Sequence, residues 1–312
     1  MTRTYRTIDG VLLLDKPLEL SSNTALQKVR RLFHAEKAGH TGTLDPLATG
    51  LLPICFGEAT KFSNVLLDAD KTYRAMLRLG QTTTTGDAEG EVTGECLAEP
   101  QRTEVEAVLA KFLGETRQLP PMYSALKHKG KPLYEYIRSG ETVERELRNI
   151  LIHELVLNRF ASNEIDITVR CTKGTYIRTL AEDIGAALGC GAHLIGLCRT
   201  AIAHLNLHDA YSLQQLESMT AAERDDCLRP LEYLMPDMPK LQLDDTQVKR
   251  LAQGQRLALD AGLPDGKVNL QGSQGFVGVG LLQGRRLAPY RLLSHVAKQA
   301  AKTCSGQNIG LE

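Results

Sequence analysis

Between Ala38 and Ile54 the chain reads AGHTGTLDPLATGLLPI, in which one acid, Asp45, stands among glycines, threonines and Pro46. A lone carboxylate in so neutral and so tightly turned a loop has two explanations. Asp-Pro is a common turn element, and a loop aspartate is structural more often than catalytic. The alternative is an acid that works chemically without a second acid close in sequence. Other chemistries find no support around it. His40 and Asp45 could ligate a metal, but nothing nearby completes a set, and a loop lacks helical i,i+4 geometry. No G-x-x-x-x-G-K phosphate loop occurs. No serine or cysteine nucleophile with a histidine partner is indicated, and a glycosidase would want two carboxylates flanking its bond.

Two further windows carry charge of one sign. From Thr116 to Tyr134 there is no acid, while Arg117, Lys127, Lys129 and Lys131 accompany Tyr123 and Tyr134. From Ile167 to Ala181 acids are again absent, and Arg170, Lys173 and Arg178 accompany Tyr176. Basic residues interleaved with aromatics suit phosphate contact plus base stacking. Solvated basic faces explain the same pattern.

The elements that must position these residues can be read from periodicity. "GVLLLDKP" is a buried strand running into a turn, and "SSN" caps a helix with Ala25, Leu26, Val29, Leu32 and Phe33 on one face. The Asp45 loop runs into a second buried strand, "LLPICF", and Glu58 to Leu67 reads as a helix. In "KTYRAMLRLG" Tyr73, Ala75, Leu77 and Leu79 alternate with Arg74 and Arg78, which places Tyr73 on the apolar face of a strand. "TTTTGDAEGE" is a hairpin tip, and Thr103-x-x-Glu106 reads as a capping box opening a helix to about Leu113. Strands near Ile150–Leu157 and Ile165–Cys171 precede a helix that ends at Leu188 before Gly189, and a strand returns at Leu194–Leu197. This irregular mixture predicts an α+β fold around a mainly antiparallel mixed sheet. From about residue 241 short strands between turns predict a small β module, and the residues after 296 read as a frayed tail. The expected division is 1–240, 241–296 and 297–312.

Composition sets the bounds. Thirty-seven basic and 37 acidic residues cancel, so global charge favours no polyanionic partner. Seven cysteines without a C-x-x-C pair argue against a disulfide framework and a zinc knuckle, and Cys55, Cys171 and Cys198 read as small core residues. No signal peptide or membrane span is visible, so a cytoplasmic location is expected.

The string "GHTGTLDPLATGLLP" closely resembles the signature of the bacterial tRNA pseudouridine-55 synthases, the TruB family. In order, "GVLLLDKP", "SSN", "GEATKF", "DKTYRAMLRLG", "MYSALKHKGKPLYEYIRSG", "CTKGTYIRTLAEDIG" and "GCGAHLIGLCRT" match the same family, covering about Gly10 to Arg199. Beyond residue 200 the likeness is weaker, and "GQRL" with "FVGVG" resembles a PUA-type RNA-binding module. The resemblance implies an isomerase that detaches uracil from its sugar at uridine 55 in the tRNA T-loop, rotates it and rejoins it through carbon 5. It implies no metal, redox cofactor or ATP, and no obligate protein partner or membrane.

The resemblance also assigns roles. Asp45 is implied as the nucleophile, Tyr73 as a stacking partner of uracil and a base, and Arg178 as the cation that keeps Asp45 ionised. Tyr176 and Leu197 line the uracil pocket, His40 fills the gap left by the flipped nucleotide, and Lys16 supports the site. Lys127, Lys129, Lys131 and Lys173 are implied as phosphate contacts. Two rival readings stay open: an RNA-binding or RNA-folding protein with a vestigial pocket, and a nucleoside hydrolase. Assistance to tRNA folding is also compatible with the catalytic reading.

Overall fold

The computed structural model describes residues 5–297 except 125, 140, 142, 260 and 261. The chain starts with β1 Gly10–Lys16, helix α1 Ser22–Leu32, β2 Ala38–His40 and β3 Ala48–Phe56. A 3-10 turn at Gly57–Lys61 and the one-turn helix α2 Asn64–Leu67 lead to β4 Lys71–Leu79. The hairpin β5 Gln81–Thr83 and β6 Val92–Glu95 precedes α3 Arg102–Lys111 and β7 Gly114–Gln118. A small hairpin, β8 Lys127–His128 and β9 Lys131–Pro132, continues through α4 Leu133–Arg138 to β10 Arg148–Ala161 and β11 Glu164–Cys171. Helix α5 Ile177–Leu188 returns to β12 Ala192–Ile202, followed by β13 Leu205–Asn206, β14 Tyr211–Ser212, α6 Leu213–Ser218 and α7 Ala221–Asp226.

Ten of these strands form one mixed sheet with the main path β14-β1-β3-β12-β4-β11-β10-β7, as the α+β expectation requires. Only β1/β14 and β3/β12 pair in parallel. The strands β1 and β3 are almost uniformly apolar because both their faces are covered. One face packs Leu12, Leu14, Leu52 and Ile54 against Ala25, Val29 and Phe33 of the α1 region. The other packs Val11, Leu13, Leu51 and Cys55 into a core shared with Val268, Leu270 and Val279 of the C-terminal sheet. Further along, α3 and α5 cover β4, β10 and β11 through Val105, Val108, Leu180 and Ile184.

The second sheet holds β15 Lys240–Gln242, β16 Leu257–Ala258, β17 Gly266–Gly272, β18 Gly275–Gln283 and β19 Arg286–Leu292, in the order β15-β17-β18-β19-β16. This part is not purely strands: α8 Asp245–Ala252 lies between β15 and β16. Asp244 caps it by accepting from the Gln247 N–H at 2.8 Å, while Gln247 accepts from the Asp244 N–H at 3.0 Å.

Other expectations need correction. The helix read at Glu58–Leu67 is broken, because the Thr60 and Ser63 hydroxyls donate to the carbonyls of Gly57 and Thr60 at 2.7 and 3.0 Å and compete with the helical ladder. The capping box of α3 is built on Gln101, whose N–H donates to Glu104 at 2.7 Å, while Glu106 pairs with Arg102. Cys55 and Cys171 are core residues, whereas Cys198 is only half-buried. The tail from 298 onward lies outside the described residues. No helix among the described residues is long and apolar enough to cross a membrane.

Candidate active site

The Asp45 loop is fastened from several sides. The buried Ser22 hydroxyl donates to the Leu44 carbonyl at 3.0 Å, and the Leu44 N–H closes back on the same oxygen at 2.7 Å. The Glu19 N–H donates to Pro46 at 2.9 Å, and the Ala48 N–H donates to Asp45 at 3.0 Å. Gly42 turns the chain at φ +83°. At Gly50, φ is +98° and a Cβ would run into the Arg199 carbonyl, so a side chain there is excluded twice. The neutral, glycine-rich sequence is what lets the backbone pass this close to β12.

Asp45 is half-exposed, and its Oδ2 lies 3.0 Å from the Arg178 guanidinium. Arg178 sits in the first turn of α5 with only 9% of its side chain exposed, too deep to be a solvated helix arginine. Its other partners are Asp87 at 3.4 Å and the carbonyls of Tyr123 at 2.6 Å and Thr85 at 3.4 Å. Asp87 is buried and also accepts from the Thr85 hydroxyl and the Glu89 N–H. Two carboxylates thus share one buried cation, and both line a cleft of about 440 Å³ together with Glu89, Asp45 half-exposed and Asp87 buried. His40, Thr43, Tyr123 and Ser124 help line that cleft. His40 Nδ1 and Ser124 Oγ are buried there without a hydrogen-bond partner.

Sheet register sets Tyr73 and Leu197 on neighbouring strands. In β12, Leu197 pairs with Ala48 of β3 on one side and Ala75 of β4 on the other. Arg199, two residues on, pairs with Gly50 and with Tyr73. Its guanidinium is buried and donates to the Leu51 carbonyl at 2.8 Å and the Gly42 carbonyl at 3.2 Å, and its charge acts on the Tyr73 phenol. Burial pushes the Tyr73 phenol pKa up, and the Arg199 charge pulls it back. Burial, then Arg199, also lowers the His40 pKa. Tyr176 caps α5, with its backbone held at both ends by the buried Gln118 amide at 2.7 and 3.0 Å.

With this geometry in place, comparison with known proteins gives a consistent answer. Residues 30–177 match the model of the TruB family pseudouridylate synthase N-terminal domain. Residues 178–236 match the tRNA pseudouridylate synthase B C-terminal domain, and 239–293 the pseudouridine synthase II TruB C-terminal model. The tRNA pseudouridine synthase B of Methylobacillus flagellatus is 53% identical over 293 residues, covering 93% of this chain and 97% of that protein. The chain belongs to the TruB family of pseudouridylate synthases. The tRNA pseudouridine synthase B of Burkholderia lata is 55% identical over 293 residues, covering 92% of this chain and 91% of the relative. Among solved structures, a chain of a Cbf5-Nop10-Gar1 complex superposes with a TM-score of 0.71 at 25% identity, covering 91% of this chain and 84% of that one.

The TruB-family fold gathers some of the residues singled out in the sequence and separates others. Asp45, Arg178 and His40 meet at the cleft, while Tyr73 and Leu197 lie on the neighbouring strands β4 and β12, outside its lining. Lys16 is fully buried, and its ammonium donates to the carbonyls of Pro17 at 2.9 Å and Leu20 at 2.6 Å. It lies under the loop, tied to backbone carbonyls. Burial lowers its pKa to about 8, against the pull of Asp45. Lys127, Lys129 and Lys131 lie on the β8–β9 hairpin, which follows directly from the cleft wall at Tyr123 and Ser124. Lys129 is exposed, and Lys131 stands 4.6 Å from the Tyr136 ring centre. Lys173 is held by Asp68 at 2.6 Å.

Asp87, Arg199 and Gln118 were not anticipated as site residues. Asp87 was visible as an acid in the Thr- and Gly-rich tip TTTTGDAEGE, the same signal as the Asp45 loop, but was absorbed into a hairpin. Arg199 lies in GLCRT, where an apolar strand hides a buried cation. Among the described residues no three His, Cys, Asp or Glu side chains group to hold a metal.

Proposed function

We propose that the chain converts uridine 55 in the T-loop of tRNA to pseudouridine. The observation that carries this reading is the half-exposed Asp45 carboxylate set 3.0 Å from a guanidinium nine-tenths buried, at the floor of an open cleft. In the net reaction the C1′–N1 bond is exchanged for C1′–C5, C5 loses a proton and N1 gains one. No water is consumed, so a single carboxylate suffices. The target base is extruded from its loop, and unstacking it costs a few kcal/mol. Stacking on Tyr73 and contact with Tyr176 and Leu197 offset that cost. His40 enters the space the nucleotide leaves.

Asp45 acts as nucleophile, and Arg178 fixes its ionised carboxylate in place. Tyr73 receives the C5 proton, and because burial disfavours its phenolate, this role depends on Arg199. Lys127, Lys129 and Lys131 hold phosphates, as does Lys173 once released by Asp68. Residues 1–240 carry the chemistry, and 241–296 add a PUA-like RNA-binding module. The protein acts in the cytoplasm, and its grip on RNA also assists tRNA folding.

The test is incubation of the purified chain with unmodified tRNA, followed by site mapping and mass measurement. Pseudouridine at position 55 with unchanged RNA mass is expected. Modification elsewhere, or release of free uracil, would contradict the proposal, and the latter would favour a hydrolase.

A further inference from the structure

A groove of about 520 Å³ opens where residues 61–68 meet the C-terminal sheet, and it shares no lining residue with the Asp45 cleft. Phe62, Val65, Met238 and Val279 give it an apolar floor. Lys267 of β17 and Tyr290 and Arg291 of β19 line it and are all exposed. The charges on the opposite wall are already satisfied: Lys61 by Glu58 at 2.9 Å and by Leu292 and Ser294, and Asp68 by Lys173 at 2.6 Å. Lys267 and Arg291 form no ion pair within 4 Å among the described residues; Lys267 feels Asp68 across the groove only as a lesser charge beside Lys173.

Tyr290 is the decisive feature. Pairing between β18 and β19 slips from Val279↔Arg291 to Gly280↔Pro289, which leaves Tyr290 as the extra residue of a bulge. A bulge re-aims a side chain. Here it turns a ring that is 56% exposed toward the groove, with the Lys267 ammonium 4.7 Å from the ring centre. An aromatic face beside two cations that form no ion pair, over an apolar floor, has the chemistry of a nucleotide site: base on ring, phosphates on cations. An acidic peptide would satisfy the cations and leave the bulged ring unused.

We propose that this groove is a second RNA-binding site. One unpaired base stacks on Tyr290, and Lys267 and Arg291 take the phosphates flanking it. The inference rests on the reading of the chain as an enzyme acting on tRNA, and it assigns the groove to affinity and the cleft to chemistry.

The experiment uses the full chain with intact tRNA. In Lys267→Gln/Arg291→Gln, Kd should rise about tenfold and the slope of log K against log salt should fall by about 1.5, from two lost phosphate contacts. In Tyr290→Ala, Kd should rise roughly tenfold with little change of slope, and Tyr290→Phe should bind like the parent. An exposed control on the same strand, Arg286→Gln, should leave Kd within twofold. Turnover at saturating tRNA should be unchanged in all four, so the catalytic reading is tested separately by the parent's own activity. Unchanged tRNA affinity in variants that melt like the parent would overturn the proposal, as would an equal loss in Arg286→Gln.

Discussion

The cations beneath Asp45 and the cations on the β8–β9 hairpin are held in opposite ways. Arg178 is almost fully enclosed and meets two carboxylates and two carbonyls. Arg199 is buried, with its side-chain hydrogen bonds going to the backbone carbonyls of Leu51 and Gly42. On the hairpin, strands two residues long carry Lys127 and Lys131, and Lys129 is exposed in the turn at φ +49°. A cation fixed from several sides is preorganised, which suits stabilisation of charge at one point. A cation on a light hairpin adapts to a polyanion, where each phosphate neutralised adds affinity and salt dependence. On the proposed function, chemistry and affinity are thus built by different degrees of constraint.

The largest effect that would test this contrast lies at Arg178. Arg178→Met leaves Asp87 buried without a cation, and breaking such a pair costs about 3–5 kcal/mol. Urea unfolding should show a loss of that order, with turnover abolished. A variant as stable as the parent would show that the buried pairing is not constraining.

Next in size is Arg199→Met, which removes the charge that acts on Tyr73 and the hydrogen bond to the Gly42 turn. A catalytic group displaced by about 1 Å loses roughly a hundredfold in rate. Single-turnover pseudouridine formation should fall by about that factor, with tRNA Kd nearly unchanged. A pure affinity loss would move Arg199 into the hairpin's class.

Neutralising Lys127, Lys129 and Lys131 to alanine should raise tRNA Kd about tenfold and lower the salt slope by about two, while stability and saturating turnover hold. An unchanged slope would show that these lysines face only solvent.

The smallest effect concerns pH. Burial lowers the Lys71 pKa to about 8, while its ammonium donates to the Leu66, Leu67 and Ala69 carbonyls. Its unfolded pKa is about 10.4. Between these values the unfolded chain binds more protons, so this lysine's contribution to stability rises from pH 8 to 10 and is least favourable below 8. In Lys71→Met, the gain in unfolding free energy between pH 8 and 10 should shrink. Parallel pH profiles for the two proteins would contradict this.

Much of the catalytic layer was legible because its signals are local. A lone acid in a glycine loop, a capped amphipathic helix and an alternating strand each follow from residue type and spacing. The Asp45–Arg178 contact joins residues 133 positions apart, and no periodicity predicts it; family resemblance did. Arg199 was hidden because its partners are mostly backbone carbonyls, which leave no mark in composition. The break in the Glu58–Leu67 segment depends on side-chain hydroxyls and on docking of Lys61 against Ser294. Helix α8 was missed because the turns around it drew the reading toward strands, although Asp244 and Gln247 spell its cap. Lys173 looked like a free cation because Asp68 is 105 residues away in sequence.

The central claim is that Asp45 supplies chemistry and not binding. Asp45→Ala removes the carboxylate at the open end of the ion pair and leaves Asp87 to neutralise Arg178. The direct measurement is single-turnover pseudouridine formation on tRNA, with Kd and melting temperature taken from the same preparation. The account predicts a rate lower by at least about a thousandfold, with Kd within a few-fold of the parent and the fold intact. A folded Asp45→Ala protein that forms pseudouridine at a near-parental rate would contradict it.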